Sequence, residues 1–147
     1  STSGLWAVRG GTREIFGIPD DQPVPGRYNI NGGASPAIYR SGIGYWSVRS
    51  LSACYFGAPG DRVVPGDYDG EGYWRPAVQR PGSGLWAVWG GGRWTMDSGP
   101  SLRALPADYN GDGLDEAATF LDSSGRWKIW ELTTIYFGIV GDIPATR

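Results

Sequence analysis

The chain has no histidine, one cysteine and no run of basic residues. Without histidine, Ser-His-Asp and Cys-His catalysis and the usual zinc sites are excluded. A single cysteine, Cys54, rules out an internal disulfide and leaves the redox compartment undecided. A net charge of −2 with no Lys/Arg run offers no electrostatic footprint for nucleic acid, and none is expected as a partner. No apolar stretch approaches the ~20 residues that span a bilayer, so no membrane span is expected. No signal peptide is visible and the first residue is Ser1, which suggests a mature or trimmed product. Long helices are excluded as well, because 25 Gly and 11 Pro among 147 residues interrupt every long window.

What is present reads as strand chemistry. Short apolar runs rich in Trp, Tyr, Val and Ile are bounded by Gly, Pro, Asp or Ser, the pattern of strands punctuated by turns. So much Gly and Pro would also suit a disordered chain. The 14% aromatic content, set at a fixed period, argues against disorder. An all-β fold follows.

The period is the strongest signal. Gly4-Leu5-Trp6-Ala7-Val8, Gly44-Tyr45-Trp46-Ser47-Val48 and Gly84-Leu85-Trp86-Ala87-Val88 are 40 residues apart, and Gly125-Arg126-Trp127-Lys128-Ile129 follows after 41. Behind each lies a Phe-Gly stop, at Phe16-Gly17, Phe56-Gly57 and Phe137-Gly138, eroded once to Met96-Asp97. An apolar-Pro step comes next, at Val24-Pro25, Val64-Pro65, Leu105-Pro106 and Ile143-Pro144, with Tyr28, Tyr68 and Tyr109 at a fixed offset from the first three. A short apolar strand closes the unit, as in Pro76-Ala77-Val78-Gln79. Fixed periods of this length belong to repeat folds in which each unit packs on its neighbour. The expected architecture is a β-propeller-type array of four-stranded antiparallel blades, about three and a half repeats of ~40 residues. As a single repeat domain it divides into a partial blade at 1–22, blades at about 23–61, 62–101 and 102–141, and a C-terminal strand within 142–147. Strands are expected near Leu5–Val8, Arg13–Phe16, Tyr45–Arg49, Ala53–Phe56, Val63–Pro65, Pro76–Arg80 and Asp142–Pro144. The Trp of each Gly-x-Trp strand is expected in the core. Cys54 shares a repeat position with Glu14 and Trp94, so it reads as a plain strand residue rather than a reactive thiol.

After the apolar-Pro step comes an Asp-rich turn. In its third copy Asp108, Asn110, Asp112 and Glu116 hold positions one, three, five and nine, with Gly113 at six and the Leu114 carbonyl available at seven. Ca²⁺ takes six to eight hard oxygen ligands in flexible geometry, and this spacing can wrap one ion. In the second copy Asp67, Asp69 and Glu71 remain, but Arg75 replaces the closing acid. A guanidinium there neutralises the carboxylates from within, so that loop is expected to be metal-free. The first copy, with Arg27, Asn29, Asn31 and Ser35, has no carboxylate. Asn, Asp and Gly are also the residues of ordinary Asx turns, which need no ion.

Phe56-Gly57-Ala58-Pro59-Gly60-Asp61 followed by Val64-Pro65-Gly66-Asp67-Tyr68-Asp69-Gly70, then a short apolar strand and Gly-x-Trp, resembles the FG-GAP/VCBS repeat family over nearly the whole chain. The resemblance implies four-stranded propeller blades with calcium in Asp-rich loops, as in integrin α-subunit heads and some lectins. It also implies an extracellular, secreted or cell-surface protein concerned with adhesion and with carbohydrate or protein recognition.

Three function classes are compatible with these features. The first is a non-catalytic extracellular binding or adhesion module, lectin-like, with a carbohydrate or an extracellular protein as ligand. Trp74, Trp89, Trp94 and Trp130 depart from the repeat consensus and are its candidate ligand-binding residues. Trp74 stands where the other copies have Ala34 and Asp115, Trp94 where they have Glu14 and Cys54, and Trp89 and Trp130 where they have Arg9 and Arg49. Aromatic faces stack on sugar rings, although inter-repeat packing uses Trp too. The second class is a secreted glycan-active enzyme or its accessory module, acting through a carboxylate pair. Asp20-Asp21, Asp61 and Asp142 recur at one repeat position beside the Phe-Gly turn, which reads as turn chemistry, and no catalytic residue is assigned. The third is a self-assembling ring or filament in which partial blades are completed between chains. There the edge near Leu5–Val8 would meet Asp142–Ala145 of another copy, in preference to closure within one chain as a small four-blade ring.

Overall fold

The computed structural model describes residues 4–7 and 13–145. Among them there are fourteen strands and no helix, so no helix is long and apolar enough to cross a membrane. The chain divides into two compact units, Ser1–Gly60 and Asp61–Arg147.

The first unit opens with a hairpin of β1 (Leu5–Ala7) and β2 (Arg13–Ile15). It continues with a four-stranded antiparallel meander of β3 (Gln22–Pro23), β4 (Ala37–Arg40), β5 (Tyr45–Val48) and β6 (Ser52–Tyr55). The second unit holds two such meanders. One contains β7 (Arg62–Val63), β8 (Ala77–Arg80), β9 (Leu85–Val88) and β10 (Arg93–Thr95). The other contains β11 (Leu102–Ala104), β12 (Ala118–Leu121), β13 (Arg126–Ile129) and β14 (Thr133–Tyr136). Each meander falls inside one sequence period, and the expected strands are met to within a residue or two. Val8, the expected end of the first strand, and Arg9 lie outside the described residues. The expected strand at Asp142–Pro144 is a correction: the segment joins no sheet. First strands such as β7 exist by pairing with the second strand of their own meander, and 142–144 has no such neighbour among the described residues.

Burial falls from the second strand outward. In β4, β8 and β12 the first three residues are all buried, so both faces of these strands are covered. The fourth strands β6, β10 and β14 are mostly exposed. Trp46 and Trp86 are each 1% exposed, while Trp6 and Trp127 are half-buried.

The local motifs have physical causes. The glycine that opens Gly-x-Trp is needed twice over, as Gly44 shows. Its φ is +58 to +70° in all four copies, and a Cβ on Gly44 would lie 2.7 Å from the Gly57 carbonyl oxygen. The Phe of Phe-Gly supplies an acceptor: Trp6 and Trp46 each donate their indole N–H to the carbonyl of Phe16 or Phe56, at 3.0 Å. Each loop tyrosine donates its hydroxyl to the carbonyl four residues earlier, Tyr28 to Val24, Tyr68 to Val64 and Tyr109 to Leu105, at 2.8, 2.6 and 2.7 Å. Burial pushes the Tyr28 phenol far above its usual range.

Candidate functional site

The Asp-rich turns are first of all side chain–backbone structures. Asp67 accepts from the amides of Glu71 and Gly72 at 3.0 and 2.7 Å. Asp108 does the same for Gly111 and Gly113 at 2.6 and 3.0 Å. Burial opposes the charge on Asp108, but these amides outweigh it and hold the carboxyl below its ordinary range. In the first loop Asn29 accepts from Asn31.

The second and third loops differ in what faces their remaining carboxylates. In the second, Arg75 lies 2.6 Å from Asp69 and 2.9 Å from Glu71, so a guanidinium sits among the acids as its sequence position suggests. In the third no cation is present among the described residues. The Asn110 amide donates to Asp112 at 2.9 Å and to Glu116 at 3.1 Å, which makes it the point on which these three side chains converge. Glu116 also accepts from the Tyr109 amide, and Asp112 from that of Leu114. Among the described residues, no three His, Cys, Asp or Glu side chains gather as a ready-made metal cluster, since Asp108 is turned into the loop's own backbone.

Beside this loop runs a cleft of about 440 Å³. Its apolar wall is Tyr68, Trp94 and Trp130, and its polar side includes Asp112, Glu116 and Glu131. Trp94 lies 5.7 Å from Tyr68 in an edge-to-face arrangement and 6.3 Å from Trp130, ring centre to ring centre. Behind it Trp94 stacks on buried Trp86 at 6.3 Å. Two of the four candidate aromatics thus meet four of the five candidate loop residues, because Asn110 and Leu114 also line the cleft. Trp94 and Trp130 come from successive repeats, at the positions that in the first unit carry the Glu14–Arg49 ion pair. The stitch between repeats therefore does not itself demand tryptophan.

The other two candidates lie apart from this cleft. Trp74 lines a smaller apolar hollow of about 220 Å³ with Val63, Pro65, Leu105 and Pro106. Trp89 is 45% exposed. The repeated acids are committed to structure. Asp21 and Asp61 receive bidentate Arg40 and Arg80 at 2.8 and 3.0 Å, and the Asp21 and Asp142 carboxylates cap the amides of Ile18 and Ile139. Cys54 is part-buried, and burial pushes its thiol up.

Three residues escaped the sequence reading. Asp115 joins the second and third loops: its amide donates to the Asp67 carbonyl at 2.7 Å and its carboxylate accepts from the Asp67 amide at 2.8 Å. Asp97, in the eroded Phe-Gly copy, accepts from Arg126 and from Lys128, the latter at 2.7 Å. Its available signal was cationic residues at the two positions where the other copies have Leu5 and Ala7, Tyr45 and Ser47, or Leu85 and Ala87. Glu131 stands in the left-handed region at φ +58°, as do Ser50 and Gly90 at the same repeat position. No family model, curated protein or solved structure matches the chain.

Proposed function

We propose that the chain is a non-catalytic extracellular binding module of the FG-GAP/VCBS type, whose meanders are propeller blades and whose ligand site is the Trp94–Trp130 cleft. The observation that carries the reading is the convergence in that cleft of an aromatic wall with the one Asp-rich loop that lacks an internal cation. Wide aromatic faces with nearby hydrogen-bond acceptors suit the apolar face and hydroxyl rim of a sugar. The extracellular setting and the propeller closure rest on the family resemblance. The meander within each period, its buried second strand and its exposed fourth strand support the blade reading.

The third loop offers one Ca²⁺ hard oxygens from Asp112 and Glu116, which meet at the Asn110 side-chain amide; that amide would turn its oxygen, now held by the Asp112 N–H, toward the ion. Asp108, Asn110, Asp112, the Leu114 carbonyl and Glu116 would hold it. The ion would neutralise the loop acids, the role Arg75 has in the second loop.

A glycan array tests the reading. Wild-type protein and Trp89→Ala bind a common set of glycans, while Trp94→Ala and Trp130→Ala lose them. An array on which nothing binds, or on which Trp94→Ala behaves as wild type, would sink it. A second reading, association between copies, draws on Tyr136, Phe137, Ile139, Val140 and Ile143, which are 72–77% exposed. Contiguous exposed apolar surface of this kind marks interaction sites. Light scattering across dilution would show a mass that falls as the protein is diluted, and a constant monomer mass would end that reading.

A further inference from the structure

Charge is distributed unevenly around the cleft. Asp112, Asp115, Glu116 and Glu131 line it, and among the described lining residues there is no Arg or Lys. Asp112 and Glu116 belong to the loop that would hold Ca²⁺ and the Asp115 carboxylate is taken by the Asp67 amide, so Glu131 is the acid left to face a ligand. The nearby cations in the sequence are committed elsewhere, Arg75 to Asp69 and Glu71, and Arg126 and Lys128 to Asp97. A net charge of −2 over the whole chain makes this concentration local rather than general.

Glu131 adds a conformational argument. Its position needs a left-handed backbone in every described copy, and the second meander meets that need with Gly90, which adopts it at less cost. A glutamate there places an exposed carboxylate beside the aromatic wall, and among the described residues it has no hydrogen-bond or ion-pair partner of its own. A non-glycine residue held in this region beside a cleft is a reasoned pointer to function.

We infer that the cleft's ligand is a saccharide bearing free, protonated amines, an inference that rests on the binding-module reading. The aromatic wall takes the apolar face of the ring, and the cation is attracted to the same ring faces. Carboxylates accept short, charge-assisted hydrogen bonds from an ammonium N–H. A fully methylated ammonium has no N–H to give them, and an N-acetylated sugar has no charge. The three features of the cleft together therefore select an amino sugar.

The test titrates the intact chain with two oligosaccharides of equal length and linkage, a β-1,4-glucosamine tetramer and its N-acetylated counterpart, following tryptophan fluorescence and heat. The amine tetramer should bind about tenfold more tightly or better, and its affinity should fall with added salt. Glu131→Gln should lower amine affinity several-fold and leave the N-acetyl tetramer unchanged. Glu131→Gly should do the same with an unaltered unfolding curve, since glycine already serves this position in the second meander. Trp94→Ala should remove binding of both. Equal affinity for the two tetramers would overturn the inference while the binding-module reading stood. Choline binding as tightly as the amine tetramer would also overturn it, by making a bare ammonium the ligand. A chain that binds neither tetramer but retains neutral glycans on the array loses only this inference, whereas an empty array removes the reading beneath it.

Discussion

The Asp61–Arg80 pair can be removed in two ways with opposite expected results. Asp61 is the buried member, with its side chain 1% exposed, while Arg80 is 43% exposed and grips it through two hydrogen bonds. Arg80→Leu takes the cationic partner away from a carboxylate whose side chain is 1% exposed. Breaking a buried pair from one side costs about 3–5 kcal/mol, and the partial exposure of Arg80 argues for the lower end, about 3 kcal/mol. With a urea m-value of about 2 kcal/mol/M the unfolding midpoint falls by about 1.5 M. The double variant Asp61→Leu with Arg80→Leu has an internal precedent. At the same register position of the third meander, Leu102 faces Leu121, and the charge pair moves one residue along to Arg103 and Asp122. The double variant should therefore return to within about 1 kcal/mol of wild type, or exceed it. Urea unfolding followed by tryptophan fluorescence reads both, and the cycle isolates the coupling. An Arg80→Leu protein as stable as wild type, or a double variant as unstable as the single, would refute the reasoning.

Chelation should lower the melting temperature, because Ca²⁺ binding only to the folded state stabilises it by mass action. Asp112→Ala should abolish that response and Asp69→Ala should not; a melting curve indifferent to chelator would count against the site. Gln79 is fully buried with neither amide atom hydrogen-bonded among the described residues, at the position where Tyr39 and Phe120 pack on their cross-strand tryptophans at 4.9 and 5.0 Å. Gln79→Phe should therefore stabilise by about 1–2 kcal/mol in the same urea assay, and a loss of stability would show that the amide is satisfied. For Asp97, the Lys128 hydrogen bond, opposed by burial and aided by Arg126, holds the carboxyl below its ordinary value of 3.8. A lowered folded pKa means stability that is fully present above the unfolded value and lost as pH falls through the folded one. Asp97→Asn should be less stable than wild type at pH 6 and converge with it in acid, so a constant difference across the range would remove the ion pair as its cause.

Much of this was legible because one unit is written several times. Gly-x-Trp, Phe-Gly and the loop tyrosine each serve a backbone need met in more than one copy: a close approach at Gly44, a carbonyl for the Trp6 and Trp46 indoles, a hydroxyl for the Val64 carbonyl. Local needs of this kind leave a periodic trace. The joining of Trp94 to Trp130 was half legible. Both were flagged as departures from the consensus, but nothing in one strand says which residue of the next repeat lies opposite. Asp115 was harder still, because the bond it makes is to the backbone of Asp67, and backbone partners leave no mark on residue type. The strand expected at Asp142–Pro144 went astray for a related reason, since a strand is a property of two segments and only one of them was in the pattern.

The copies also sort their own departures. Where a position changes in one copy, a partner usually changes with it. Met-Asp for Phe-Gly comes with Arg126 and Lys128, Leu102 for aspartate comes with Leu121, and Trp94 for glutamate comes with Trp130. Paired changes preserve the stitch between strands or repeats and need no ligand to explain them. The Trp94–Trp130 pair is explained that far and no further, because it replaces a compact ion pair with two large rings that stay partly open to the cleft. Glu131 differs in kind. It takes a position that Gly90 fills at less conformational cost, brings no compensating cation among the described residues, and puts an exposed carboxylate beside the cleft's rings, whereas the Asp115 carboxylate is taken by the Asp67 amide. Folding alone gives no reason to prefer it. An amine in the cleft does, which makes the comparison of Glu131→Gly with Glu131→Gln the sharpest separation of fold from binding in this chain.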